Sequence, residues 1–380
     1  MPGIPQASQS SQVAGSPPIT YPSGPSTPAT PFTYGSVELH PDLSYDVSYE
    51  TGLQSAPGKT SDSTIQTLSA AMIIQGGTVW NLSYTPKWVL YSSTLFKDAF
   101  DQDARLGANF SYQDWDVQVS QSYDKTSDPL VETGRQTAQQ SYGTAIKGLY
   151  GGGLAQPSIE VAFDQSVRFA SLAPTVYDWN SQDWVHFPIS PQWDVAVGPG
   201  GGFTHEDPGF DMVYARPEAQ LIWQPGQKFS LNAQGGIQET EFLVTPRSRN
   251  DTAIFSTNLV YRPWETTTAT IGMNRQVSPS YEADQIGEST MATIALEQRL
   301  LGHFFISLEA GTGKTDYLSA SQAASTVRGD TTDSLQASLS TVLFSRLNLE
   351  LSLSRLRNSS DIKGYGFTTY QYGFDVSLKF

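Results

Sequence analysis

Over residues 370–380 apolar and polar positions alternate without a break: Tyr370, Tyr372, Phe374, Val376, Leu378 and Phe380 fall on one face of an extended segment, and Gln371, Gly373, Asp375, Ser377 and Lys379 on the other. Strand side chains alternate with period two. One face is therefore wholly apolar and the other wholly polar, which is how a lipid-facing barrel strand reads. The same rhythm recurs from Ser36 onward. Val37, Leu39, Leu43, Tyr45, Val47 and Tyr49 oppose Glu38, His40, Asp42, Asp46 and Glu50, and comparable segments follow at Trp80–Leu82–Tyr84, Leu106–Ala108–Phe110–Tyr112, Ile159–Val161–Phe163, Phe229–Leu231–Ala233, Phe255–Leu259–Tyr261, Phe304–Ile306–Leu308, Leu335–Ala337–Leu339 and Leu347–Leu349–Leu351–Leu353.

The links between these segments come in two kinds. Short ones lie at 75–77, 113–114, 151–153, 189–192, 224–227, 262–265, 301–303 and 345–346; longer polar ones alternate with them at 52–61, 92–103, 124–135, 171–178, 205–211, 244–251, 279–287, 319–332 and 358–364. This alternation predicts an all-β, antiparallel meander barrel of about 18 strands, with short periplasmic turns and longer extracellular loops. Residues 63–74 and 179–187 carry the pattern least clearly and leave about 16 strands as the alternative under the even-number rule. Trp80, Trp115, Tyr150, Trp193, Trp223, Tyr261, Trp264, Phe304, Phe344 and Phe380 all lie near short links, as an aromatic girdle at one membrane interface requires.

Composition narrows the classes further. With 38% hydrophobic residues among 380, and no run of about 18 apolar residues, helical membrane spans are excluded. Cysteine is absent, which removes disulfides, thiolate metal sites, c-type haem attachment and cysteine nucleophiles together. The net charge of -15 argues against nucleic acid as a partner. Residues 1–34 open on a Pro/Ser-rich stretch that lacks the apolar content to fold, and are read as a disordered periplasmic tail ahead of a barrel over 35–380. Neither a basic n-region nor an apolar h-region follows Met1, so no signal peptide is expected in this sequence.

Catalytic motifs dissolve on inspection. Gly311-Thr312-Gly313-Lys314-Thr315 has the end of a phosphate-binding loop but continues a strand instead of opening a helix. His40 and His303 share no loop face with a nucleophile, and His205-Glu206-Asp207 reads as a solvated loop tip. No catalytic, cofactor or metal site is assigned.

The terminal strand, through Tyr372, Phe374, Val376, Leu378 and Phe380, resembles the C-terminal signal by which bacterial outer-membrane barrels are recognised by their assembly machinery. Residues 34–380, with their hairpin rhythm and the Ile189–Trp193 turn, resemble the bacterial outer-membrane family beta-barrel porin 2. That resemblance implies a porin-like barrel in the outer membrane of a Gram-negative bacterium and supplies no catalytic residues. The partners it implies are outer-membrane lipids, the barrel-assembly machinery, and small hydrophilic solutes or a polysaccharide. Oligomeric state stays open.

The polar faces supply the candidate lumen-lining residues: Glu38, Asp42, Asp46, Glu50, Asp116, Glu160, Asp164, Asp194, Glu218 and Glu309, against Arg105, Lys147, Arg168, Arg216, Lys228 and Arg262. Mixed charge along a wet wall tunes selectivity, and the acidic first strand predicts a mild cation preference. A passive channel for small hydrophilic solutes is the expectation. A polysaccharide-export pore and a non-conducting structural or adhesive barrel are the alternatives; few inward aromatics lean against export.

Overall fold

The computed structural model describes residues 32–151, 157–244, 247–321 and 326–380. In chain order the strands are β1 (Phe32–Tyr34), β2 (Val37–Ala56), β3 (Lys59–Gly76), β4 (Trp80–Tyr91), β5 (Ala99–Tyr112), β6 (Trp115–Thr126), β7 (Pro129–Leu130), β8 (Arg135–Gln136), β9 (Gln139–Tyr150), β10 (Ser158–Ala170), β11 (Thr175–Ser190), β12 (Trp193–Asp207), β13 (Asp211–Trp223), β14 (Phe229–Phe242), β15 (Ser248–Trp264), β16 (Thr267–Pro279), β17 (Gln285–Leu300), β18 (Phe304–Ser319), β19 (Thr326–Leu343), β20 (Leu347–Ser360) and β21 (Phe367–Lys379). Each long strand pairs antiparallel with its neighbours in sequence, and β21 pairs back onto β2 from Asp42↔Lys379 to Thr51↔Tyr370. The sheet closes. The wall has 18 strands, because β7 and β8 pair only with each other and β1 joins only β2, over three residues. A closed barrel satisfies every backbone group inside the wall, which is the condition for crossing lipid without helices.

β1 lies at the closing seam. Phe380 N–H donates to Pro41 O at 3.0 Å, and Phe32 pairs with Leu39 just beyond. The short N-terminal strand thus continues the row that the C-terminus leaves unfilled. The expected tail lies, up to residue 31, outside the described residues.

Wall strands run from 12 to 20 residues, whereas about 9–11 suffice to span a bilayer. The surplus stands beyond the lipid on the side of the longer links. This corrects the expected loop lengths: the polar stretch 52–61 is two strand ends joined at Pro57-Gly58, with register shifts near Glu50 and Gln54. Outside lipid a ladder no longer needs an apolar face, so its sequence reads as loop. Residues 63–74 and 179–187, the least patterned segments, lie within β3 and β11.

The outward face carries two aromatic belts. At the short-turn end Trp193, Trp223, Phe229 and Tyr261 stack across four adjacent strands with centroid separations of 5.2, 6.4 and 4.4 Å. At the other end Tyr123, Tyr142, Phe169, Tyr177, Trp179 and Phe203 form a second chain, with separations of 5.0–6.3 Å. Along β12 the belts are ten residues apart, from Trp193 to Phe203. At about 3.3 Å per residue and a tilt of about 40° that is roughly 25 Å, the height of an outer-membrane apolar band.

Candidate functional site: the lumen and its outer mouth

The polar face is the inner one. Arg168 on β10 shares a face with Glu160 and Asp164, and its guanidinium donates to Ser280 O at 2.6 Å in the link after β16. Five strands separate β10 from β16 along the wall, so the contact crosses the interior. By register, Glu38, Asp42, Asp46, Glu50, Arg105, Asp116, Lys147, Glu160, Asp164, Arg168, Asp194, Arg216, Glu218 and Glu309 lie on this inner face, and Arg262 keeps it at the rim. Lys228 lies one residue before β14, where its carbonyl accepts from Arg262 N–H at 2.7 Å, so the pairing continues to the rim beside Arg262.

The interior charges separate into two walls. From β9 to β13 most acids stand beside bases: Lys147 Nζ lies 2.8 Å from Glu160, His186 Nδ1 2.8 Å from Asp194 with its Nε2 3.9 Å from Glu160, and Arg216 3.4 Å from Glu218, while Asp164 joins no ion pair among the described residues. The Arg216 Nε also donates to Gln182 at 3.2 Å. Across β2, β21 and β20, by contrast, Asp46 stands opposite Asp375, and Asp375 opposite Glu350. Among the described residues no ion pair joins these three acids, or Asp42 beside them, to a cationic side chain. Asp375 and Glu350 extend the acidic strip of the first strand sideways. Glu350 is inconspicuous in the sequence because the Leu-rich outward face of β20 dominates its pattern.

The outer mouth is narrowed by residues 127–138, the link from β6 to β9, which carries the β7–β8 hairpin inside the barrel. Glu132 at its tip is 2% exposed. Its Oε1 accepts from the Ser280 hydroxyl and from Tyr281 N–H at 2.5 Å, and its carbonyl accepts from Arg328 Nη1 at 2.8 Å. Eight strands separate Arg328, on β19, from Arg168 in either direction. The hairpin therefore joins opposite walls. Burial pushes the Glu132 carboxyl above the usual carboxylate range, against the pull of the Ser280 and Tyr281 donors and of the Arg168 and Arg328 charges.

Aromatic rings and backbone hold this junction. The Arg168 guanidinium lies 4.1 Å from the Tyr281 ring centroid, and Arg328 sits 3.8 Å from Tyr365 and 4.8 Å from Tyr317. Gln136 exchanges two 2.8 Å bonds with the Lys97 backbone, fixing the hairpin to the β4–β5 link. Gly134, at φ +64°, makes the turn against Gln54. Met212 and Phe242, at inner positions of β13 and β14, pack against Ile286 and Leu318, at outer-face positions of β17 and β18. The tops of β17 and β18 thus lean inward.

Inward aromatics were expected to be few. Trp184, Tyr214, Tyr281, Tyr317 and Tyr365 lie inside, but Trp184, Tyr281 and Tyr317 are buried and all four tyrosines are engaged by arginines. None of those is a free stacking platform. His205, on β12, stacks on Tyr177 and contacts Asp211 at 2.6 Å outside the barrel. Among the described residues no group of three acid or His side chains is placed to hold a metal ion.

No family model matches this chain, and no curated protein is similar to it. Solved structures are. OpdK of Pseudomonas aeruginosa with vanillate aligns at a TM-score of 0.50 with 10% identity, over 90% of this chain and 99% of that one. OccK2 (OpdF) of the same organism, in complex with glucuronate, aligns at 0.50 with 11% identity, over 90% and 98%. At such identities the likeness concerns the fold, a closed 18-strand barrel of outer-membrane porin type, as the resemblance to beta-barrel porin 2 implies.

Proposed function

We propose that this barrel, having the fold of an outer-membrane porin, sits in the outer membrane of a Gram-negative bacterium and passes small hydrophilic solutes by passive diffusion, with a modest preference for cations. The observation that carries the reading is the asymmetry of the interior. One wall is largely charge-paired and the other holds Asp42, Asp46, Asp375 and Glu350 without ion-pair partners among the described residues. Low-dielectric walls focus such a field across the lumen, and at physiological salt screening acts only over about 8 Å. Vanillate and glucuronate, named with the two similar structures, are carboxylates. A bare acidic strip disfavours them, so solute charge is where this chain is proposed to differ.

Reconstitution in planar bilayers under a salt gradient tests this. Discrete conductance steps with a cation-side reversal potential are expected; anion selectivity at low salt overturns the charge argument. The bridging of opposite walls through Glu132 favours a second reading, a closed structural barrel, and that reading requires no conductance at any voltage. Polysaccharide export calls for free aromatic platforms or a basic lining, and the engaged aromatics and acidic strip give it less support.

A further inference from the structure

We infer that Asp46, Asp375 and Glu350 form a luminal binding site for a cation that brings its own hydrogen-bond donors, either a hydrated divalent metal ion or the ammonium group of a solute. The inference rests on reading the interior as a water-filled lumen, and not on conduction itself. The three carboxylates occupy one row across three adjacent strands, Asp46↔Asp375 and Asp375↔Glu350. Neighbouring strands are about 4.8 Å apart, so the row spans roughly 10 Å. Like charges directly opposite one another destabilise a sheet. Three in succession need a counter-charge.

The inner positions adjoining the row provide none. The row ends on Thr67 beyond Asp46 and Ser340 beyond Glu350, and the inner positions on either side of it are Ser44, Ser377 and Asn348 toward one end and Ser48, Gly373 and Ser352 toward the other. All are small or neutral. Lys379 and Arg346 line the same concavity, of about 310 Å³, without forming an ion pair to the row.

A second observation points to a ligand. Glu350 is only 5% exposed, lines that concavity, and its buried Oε1 has no hydrogen-bond partner; Asn348 Oδ1, in the same lining, has none either. Buried charge is ordinarily paired or bound to a cation, and both residues line one concavity. Gly373 keeps that space open, since a Cβ there would stand 2.4 Å from Ser352 Oγ and 3.8 Å from Asp46 Oδ2. The acids are not gathered closely enough to coordinate a bare metal ion. The fitting ligand therefore carries donors outward, as the water shell of Mg²⁺ does, that ion being slow to dehydrate, or as an ammonium group does.

Calorimetric titration of the full-length protein in detergent tests this with MgCl2, with 1,4-diaminobutane, and with 1,4-butanediol as the uncharged control. Saturable binding of Mg²⁺ or of the diamine, but not of the diol, is expected. Mg²⁺ alone identifies a hydrated metal site and the diamine alone a solute subsite. Asp375→Asn with Glu350→Gln should weaken binding about tenfold or more, the loss of one charge-assisted bond. If that pair of changes prevents the heat-modifiable barrel from forming, Glu350→Gln alone is compared. Absence of saturable binding by both cations, or unchanged affinity in the variant, overturns the inference. Because no transport is measured, a barrel that binds without conducting fails only the channel proposal, and one that conducts without binding fails only this one.

Discussion

Arg168 and Ser280, 112 residues apart in sequence, meet at 2.6 Å across the inside of the barrel, and the Ser280 hydroxyl in turn donates to Glu132. A side chain from one wall, a link from the facing wall and the tip of an internal hairpin converge there. The width of the outer mouth depends on this junction.

Glu132→Ala is expected to release the hairpin. It leaves the buried Ser280 hydroxyl and Tyr281 N–H without their acceptor, at about 1–3 kcal/mol each. Single-channel recordings should show larger and noisier openings than the wild type; an unchanged conductance would mean that the hairpin does not limit the pore.

Acidity should act on the same junction. Burial raises the Glu132 carboxyl, so the docked state favours the neutral acid. Docking is fully supported below the ordinary carboxylate range and loses support as pH rises through the raised value. Opening noise should increase with pH in the wild type, and Glu132→Gln, which keeps an accepting oxygen but cannot titrate, should flatten that dependence.

The two walls give opposite expectations for selectivity. Asp42→Asn with Asp46→Asn should shift the reversal potential toward anions with folding intact. Lys147→Gln should shift it toward cations, because Glu160 then loses the partner 2.8 Å away. Equal responses from the two walls would contradict their division into paired and bare.

Trp223 stands between Trp193 and Phe229 in the lower aromatic belt. Trp223→Ala should lower barrel stability in liposomes by about 1 kcal/mol beyond the area lost, read from urea titration of intrinsic fluorescence. A change confined to the soluble ladder, such as Asp62→Asn, is the comparison.

Phe380→Ala should reduce the yield of heat-modifiable barrel in the outer membrane, since Phe380 ends the alternating face and its backbone closes onto Pro41. Normal yield of the folded form would separate this residue from assembly.

How far the sequence was legible follows from where lipid is. Inside the bilayer each strand must show an apolar outer face, so Leu347 to Leu353 or Tyr370 to Phe380 announce themselves, and the inner face follows by parity. Beyond the bilayer that requirement ends. Residues 52–61 therefore read as a loop although the ladder runs to a two-residue turn, and the upper belt through Phe169, Tyr177 and Phe203 went unnoticed because it sits far from any short link. The Glu132 junction joins residues 148 and 196 positions apart, and no local pattern encodes such a meeting.

Every neighbouring pair in the wall is a local hairpin except the seam of β21 on β2, whose ten paired positions join chain segments about 330 residues apart. Closing so long a loop costs roughly 3 kcal/mol more in chain entropy than closing a dozen-residue hairpin. The seam is thus the slowest and least favoured contact to form. Asp46 and Asp375 face each other in its middle, which puts electrostatic repulsion at the place where the cylinder must zip shut. Ionic conditions during biogenesis then become a control on when an open, curled sheet commits to being a tube, independently of anything that later passes through it.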